Sequence, residues 1–208
     1  MPPLISLQEK PVSFQGLNPH SFPNQTKVKE FFFDEDFQNF KILKNLPPPT
    51  TNFPEPPLLI YPGAGTDILS PLIYIQALFP QVKVINLLFV DTQDTLGIIK
   101  TILVECNISL KQNGNVLSFY WNNLLVNLTF QTTDIFTFSF LSFDIYFERL
   151  FRIYKEQHPS YEQTVLAHLK TGGFLISDSG FVSDQLESLN APKNLSIYQE
   201  MIIAKKKE

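Results

Sequence analysis

The chain has 208 residues, 44% of them hydrophobic and 17% charged, which is enough for one sizeable core and too little for two comfortable ones. Its 20 acidic against 16 basic side chains give a net charge of -4, arguing against nucleic-acid binding by phosphate neutralisation. A single cysteine, Cys106, excludes an internal disulfide framework and a cysteine-rich zinc site, and its apolar surroundings read as those of a small buried hydrophobe.

The N-terminus, MPPLISLQEKP, lacks the basic start and long apolar centre of a signal peptide, and no uninterrupted apolar run approaches a membrane span. A soluble, cytoplasmic protein with no membrane partner is therefore expected. Of the 16 prolines, 11 precede Leu58. Those between Pro47 and Pro57 fix an extended connector, because consecutive prolines set φ and remove backbone donors. Before the connector, residues 27–46 carry Phe33, Phe37 and Phe40 at helical spacing, which predicts a short amphipathic helix. It cannot hide its phenylalanines alone. It has to pack on the main domain, as core cover or as a lid over a ligand site, or offer them to a protein partner or a second copy. Residues 1–57 thus read as an N-terminal extension and residues 58–208 as one domain.

From Leu58 the pattern alternates between strands and helices. Leu58-Leu59-Ile60-Tyr61 is a short apolar run ended by Pro62-Gly63, the profile of a buried parallel strand. Residues 67–79 have helical periodicity and stop at Pro80; residues 82–90 form a second apolar strand ending at Asp91; residues 92–107 read as a second helix. Asn113-Gly114 predicts a hairpin joining residues 108–111 to 116–121, and Asn122-Asn123 a second turn into residues 124–131. Residues 143–147 are a further strand and 148–169 a helical stretch interrupted near Pro159. Residues 173–177 are a strand, and 195–205 one bent or two paired strands. The sum is an α/β, doubly wound, mostly parallel sheet covered on both faces, with an inserted β-hairpin. In such sheets ligands bind beyond the carboxyl ends of the strands, which here gather the glycine turn, Asp91, Asp134 and the end of the 143–147 strand.

Tyr61-Pro62-Gly63-Ala64-Gly65-Thr66-Asp67 links the first strand to the first helix, and its glycines allow a sharp turn and close approach of a ligand to the backbone. Asp67 has two readings, a helix cap or a ligand group. The turn is not a phosphate loop, since Gly-Lys-Ser/Thr is absent, and the third glycine of the dinucleotide fingerprint is missing. Asp91, at the end of the second strand, is either an acceptor for ribose hydroxyls or a strand-end turn former. His20, His158 and His168 are scattered without acidic companions at ligand spacing, so no metal site is expected. Ser177-Asp178-Ser179-Gly180 lacks the nucleophile-elbow pattern of serine hydrolases.

The run Leu59-Ile60-Tyr61-Pro62-Gly63-Ala64-Gly65-Thr66-Asp67, followed by Asp91, Asp134 and Phe143-Asp144-Ile145, resembles the class I S-adenosylmethionine-dependent methyltransferases. The likeness extends to Leu169-Lys170-Thr171-Gly172-Gly173-Phe174-Leu175-Ile176 and spans roughly residues 58–206. It implies a Rossmann-like sheet of seven strands, the last antiparallel and formed by about residues 200–205. It also implies S-adenosylmethionine as cofactor, with S-adenosylhomocysteine as product. Gly63 and Gly65, with Tyr61, Ala64 and Asp67 around them, would meet the methionine portion. Asp91 with Thr92 would hold the ribose, and Asp134 and Ile135 the adenine. Glu148 and Arg149 stand where acceptor-facing groups lie in this family, and equally read as a capping and surface pair. The methyl acceptor is unspecified, with a small molecule favoured over a macromolecule. The sequence departs from the family at Tyr61, where an acidic residue is usual, and at Asp67, where a glycine is. An inactive methyltransferase-like domain serving as a binding or assembly module is the alternative these departures support.

Overall fold

The apolar runs that begin at Leu58 pair into one nine-stranded sheet in the computed structural model, which describes residues 8–12, 14, 16–32, 34–51, 53, 56–196 and 198–208. Phe33 of the expected helix and Pro54 of the expected connector lie outside the described residues, as do residues 1–7. The strands are β1 (Leu58–Pro62), β2 (Val84–Asp91), β3 (Leu110–Asn113), β4 (Val116–Trp121), β5 (Leu124–Thr132), β6 (Phe143–Glu148), β7 (Leu169–Ser177), β8 (Leu186–Ser188) and β9 (Ile202–Lys206). Their order across the sheet is β3-β4-β5-β2-β1-β6-β7-β9-β8.

Strands β5, β2, β1, β6 and β7 run parallel, and β9 lies antiparallel between β7 and β8. This is the mostly parallel sheet with an antiparallel last strand that the resemblance implied, and the hairpin β3–β4 extends it beyond β5. In the hairpin turn Gly114 takes the positive φ (+59°), and Asn122 (+53°) does so in the next turn. Strand β8 was not anticipated; its three residues are too short to show a period. At the two edges the exposed side chains are polar: Lys111, Gln112 and Asn113 on β3, Glu187 and Ser188 on β8.

Strand alternation divides the core in two. Leu59 and Tyr61, Leu87 and Phe89, Ile145 and Phe147, and Phe174 and Ile176 point to one face. Ile60, Val90, Tyr146 and Leu175 point to the other. The first face is covered by α3 (Leu69–Leu78), α4 (Leu96–Glu105) and the N-terminal helix α2 (Asp34–Lys44), which contributes Phe40 and Leu43. The second is covered by α6 (Tyr161–His168) and the short α5 (Arg152–Glu156). Trp121 is buried, with its indole N–H donated to Gln76 Oε1 at 3.2 Å, so the aromatic hairpin packs on the core.

The expected single helix at residues 27–46 is two: α1 (Gln25–Glu30), capped by Asn24 Oδ1 accepting from the amides of Thr26 and Lys27, and α2. Phe32, Phe37 and Phe40 meet edge to face, and Phe40 in turn packs on Tyr74 of α3. Ahead of α1 the chain runs along α4, where Lys10 N–H donates to Thr101 Oγ1 at 3.0 Å and Asn24 N–H to the Cys106 carbonyl at 2.8 Å. Cys106 is fully buried, and burial pushes its thiol up to about 12. Among the described residues no helix is long and apolar enough to cross a membrane.

Candidate functional site

The chain turns back on itself between β1 and β6: from β1 it crosses to β2 on one side, and from β6 to β7 on the other. A sheet of this kind opens a crevice at the carboxyl ends of those two central strands. A cavity of about 800 Å³ lies there, within the range of small-molecule sites. Its floor comes from the glycine turn (Tyr61, Gly63, Ala64, Thr66, Asp67) and one wall from Arg149, Leu150, Phe151 and Tyr154 after β6. The N-terminal extension builds the opposing wall with Phe31, Phe32, Asp36 and Asn39.

The turn is shaped by its glycines and pinned to β2. Gly63 and Gly65 adopt φ of +59° and +51°, a region that costs side-chain-bearing residues. Gly63 N–H donates to the Val90 carbonyl at 2.8 Å, Gly65 N–H to Asp91 Oδ2 at 2.8 Å, and Thr95 Oγ1 bonds the Gly65 carbonyl. Asp91 Oδ1 accepts from Gln93 N–H at 3.0 Å. A carboxylate has about four acceptor positions, so these two backbone bonds leave capacity for hydroxyl donors.

Arg149 organises the charge of the cavity. Its Nη2 donates to Asp36 Oδ1 at 3.1 Å, its Nη1 reaches Ser70 Oγ and lies 3.6 Å from Asp67 Oδ2. Asp67 accepts from Tyr61 Oη at 2.9 Å and from Ser70 N–H at 3.1 Å, so it caps the entry to α3 and faces the guanidinium together. Burial opposes the Arg149 charge, but Asp67 and its neighbours hold the proton more tightly than usual. Burial first, and then the Asp67 carboxylate, push the Tyr61 phenol well above its ordinary value. Tyr61 is thus a neutral hydroxyl that donates to Asp67.

The sequence-derived residues separate into groups. Tyr61, Gly63, Ala64, Asp67 and Arg149 line the cavity; Gly65 lies within the same turn, held by Asp91. Thr92 is exposed beside Asp91, and Asp134 is exposed with Oδ1 accepting from Phe136 N–H at 2.9 Å. Ile135 is buried in the second apolar cluster with Val90 and Phe151. Glu148 is fully buried on the far face of the sheet, away from Arg149. It accepts from Tyr146 Oη at 2.6 Å, from Ser179 Oγ at 2.7 Å and from Ser177 Oγ, and pairs with Lys155 Nζ at 2.6 Å. Lys155 also bonds the Gly180 carbonyl at 2.6 Å and Glu162 at 3.0 Å.

Phe151 is the residue that sequence reading passed over. A Cβ built on Gly63 would lie 2.9 Å from the Phe151 ring, so the ring rests directly on the glycine. It stacks in turn on Tyr154 (centroids 5.4 Å apart) and Phe136 (5.9 Å), and Phe136 stacks on His158 at 3.5 Å. The available signal is positional: Phe151 lies in the connection that follows the central strand β6, where ligands of such sheets bind. Asp36, Phe31 and Phe32 gave no such signal.

Leu150, with φ of +57°, donates its N–H to both Asp178 oxygens at 2.9 and 3.0 Å. Burial pushes the Asp178 carboxyl up to about 6, against the pull of the Leu150 amide, Arg149 and Lys155. Unfolded, this group would lose its proton near 3.8, so between that pH and about 6 the folded state holds the extra proton. Its contribution to stability is therefore complete below pH 3.8 and lost as the pH rises through 6. Melting curves should show the wild type losing ground to Asp178→Asn as the pH rises from about 4 to about 6.5. A difference between the two that stays constant over that range would refute the assignment.

No protein-family model matches the chain, and no curated protein matches it. Among solved structures, similarity is found to YcgJ from Bacillus subtilis at 16% identity and TM-score 0.42, over 68% of this chain and 50% of that one. An O-methyltransferase family 2 protein from Planctomyces limnophilus, solved with apigenin, is similar at 13% identity and TM-score 0.43, over 80% and 46%. A protein from Listeria monocytogenes, provisionally described as a class I S-adenosylmethionine-dependent methyltransferase, is similar at 12% identity and TM-score 0.47, over 92% and 71%. The chain spans half the length or less of the Bacillus and Planctomyces structures. By its own strand order and the place of its glycine turn, the chain has a Rossmann-like α/β fold with an antiparallel last strand.

Proposed function

We propose that the chain binds S-adenosylmethionine at the β1–β6 crevice and transfers its methyl group to a small-molecule acceptor, releasing S-adenosylhomocysteine. The observation that carries this reading is the cavity at the glycine turn, where one guanidinium stands between two carboxylates. An amino-acid group carries one ammonium and one carboxylate, and Asp67 with Arg149 offers the complement of each. Gly63, Ala64 and Gly65 would follow the methionine chain, Asp91 and Thr92 would take the ribose hydroxyls, and Asp134 and Ile135 the adenine. The bound cofactor would supply an electrophilic methyl group, whose transfer needs positioning more than acid–base help. Residues 58–208 would form the catalytic domain and residues 1–57 its cover, with α2 acting as the lid.

Calorimetric titration with S-adenosylmethionine and S-adenosylhomocysteine, with NAD as control, tests the reading. Asp91→Asn should weaken binding of the first two by about 10–100-fold, since charge-assisted hydrogen bonds to the ribose are lost. Unchanged affinity would remove Asp91 from the ribose.

A second reading is favoured by Phe151, whose ring covers Gly63 where a cofactor would have to approach. It makes the chain a methyltransferase-like binding module without activity. Absence of binding by all three ligands would support it.

A further inference from the structure

The connection that leaves β6 carries three cavity residues in a row, Arg149, Leu150 and Phe151. The middle one holds a costly conformation: a φ of +57° is rare for a residue with a side chain and persists only where the surroundings enforce it. Packing of the Leu150 side chain does little of that work, since it is more than half exposed. The grip comes from Asp178, in the turn after β7, whose two carboxylate oxygens both accept the Leu150 N–H, at 2.9 and 3.0 Å. Asp178 is buried behind the cavity and is not among its lining residues. Ser196 Oγ, bonded to the Asp178 carbonyl, ties it in place. On one side of the gripped amide stands Arg149, paired with Asp36 at 3.1 Å. On the other stands Phe151, whose ring rests on Gly63.

We infer that Asp178 is a positioning residue of the cavity, which sets the wall of Arg149, Leu150 and Phe151 through the Leu150 amide and loosens that wall when it takes up a proton. Ionised, it offers two charged oxygens to one N–H; protonated, it offers one neutral carbonyl oxygen, and a neutral bond is roughly half as strong. Burial pushes this carboxyl up to about 6, which brings the change within reach of mild acid. The charged groups that face Asp178 are Glu148 and Arg149, at the end of β6, and Lys155 of α5. The phenols of Tyr61 on β1 and Tyr74 on α3 also feel it, and burial keeps both neutral across this range. Glu200, bridged beside Ser179, is held by Arg152 at 3.2 Å. His158 touches the wall from another side, through Phe136 stacked on Phe151. The inference concerns the wall alone and does not rest on methyl transfer.

The test follows the Leu150 and Gly63 amide resonances of the isotope-labelled full chain by NMR, from about pH 4.5 to about pH 8. Both should shift with one midpoint near pH 6, Leu150 because its acceptor changes and Gly63 because the Phe151 ring above it moves. Asp178→Asn keeps the side-chain shape and one oxygen, so both resonances should stay near the low-pH positions of the wild type throughout. A response that survives in this variant comes from another group, His158 foremost, and overturns the inference. Phe151→Leu should abolish the response at Gly63 and keep that at Leu150. Persistence at Gly63 would mean that Asp178 acts through its field and not through the wall, which defeats the inference equally. Melting temperatures check that both variants fold. Should one fail to fold, the wild type decides alone: no response at Gly63, or two different midpoints, refutes the coupling. No ligand enters the measurement, so its outcome and that of the S-adenosylmethionine titration stand apart.

Discussion

Lys155→Met is expected to destabilise the fold by about 3–5 kcal/mol, the cost of leaving a buried carboxylate without its counter-charge. Glu148 has no solvent contact, and Lys155 is the cation that faces it, at 2.6 Å. The hydroxyls of Tyr146, Ser177 and Ser179 would still donate to Glu148 but cannot neutralise it. Burial, and then the Glu148 charge, already push the Tyr146 phenol well above its ordinary value, so that hydroxyl does not give up its proton to compensate. Urea unfolding of the variant measures the loss. The double variant Glu148→Gln/Lys155→Met should recover much of it, because a neutral pair leaves no buried charge. A single variant within about 1 kcal/mol of wild type would mean that water reaches Glu148 when the lysine is gone.

The second large effect concerns Phe151. Phe151→Leu keeps an apolar side chain at the position but removes the ring from Gly63, and under the methyltransferase reading it should raise the affinity for S-adenosylhomocysteine. If the ring must swing aside before the ligand can settle, the open state is a minor fraction and the measured affinity is reduced by that fraction. A displacement cost of about 1–2 kcal/mol corresponds to a gain of roughly 5–30-fold on its removal. Lower affinity in the variant would make the ring a wall of the site instead of a cover. No binding by either protein would favour the inactive module, with a cause other than the Phe151 ring.

Sequence legibility followed the physics of each element. Buried parallel strands leave near-continuous apolar runs, which is why Leu58–Pro62 and Val84–Asp91 could be read along with the turn between them. Asn113-Gly114 announced the hairpin because few other pairs allow so tight a reversal. Glu148 was open to misreading for a related reason. Next to Arg149 it looks like a helix-start charge, yet β6 is covered on both faces, so alternation carries Glu148 inward with Tyr146. The ion pair of Arg149 with Asp36 joins residues 113 positions apart and has no local signature. The cavity wall from the N-terminal extension was invisible in the same way: helical spacing showed that the phenylalanines had to pack somewhere, and only the tertiary structure shows where.

The two ends of the sheet bear on how copies of this chain can meet. An open sheet invites another strand at each border, where unpaired amides and carbonyls form a template for addition. Here one border is the four-residue β3 with Lys111, Gln112 and Asn113 turned outward, and the other the three-residue β8 with Glu187 and Ser188. Brevity and polarity at both borders discourage growth of the sheet from molecule to molecule, and with it fibrillar self-assembly. Pairing of two copies strand to strand is accordingly disfavoured.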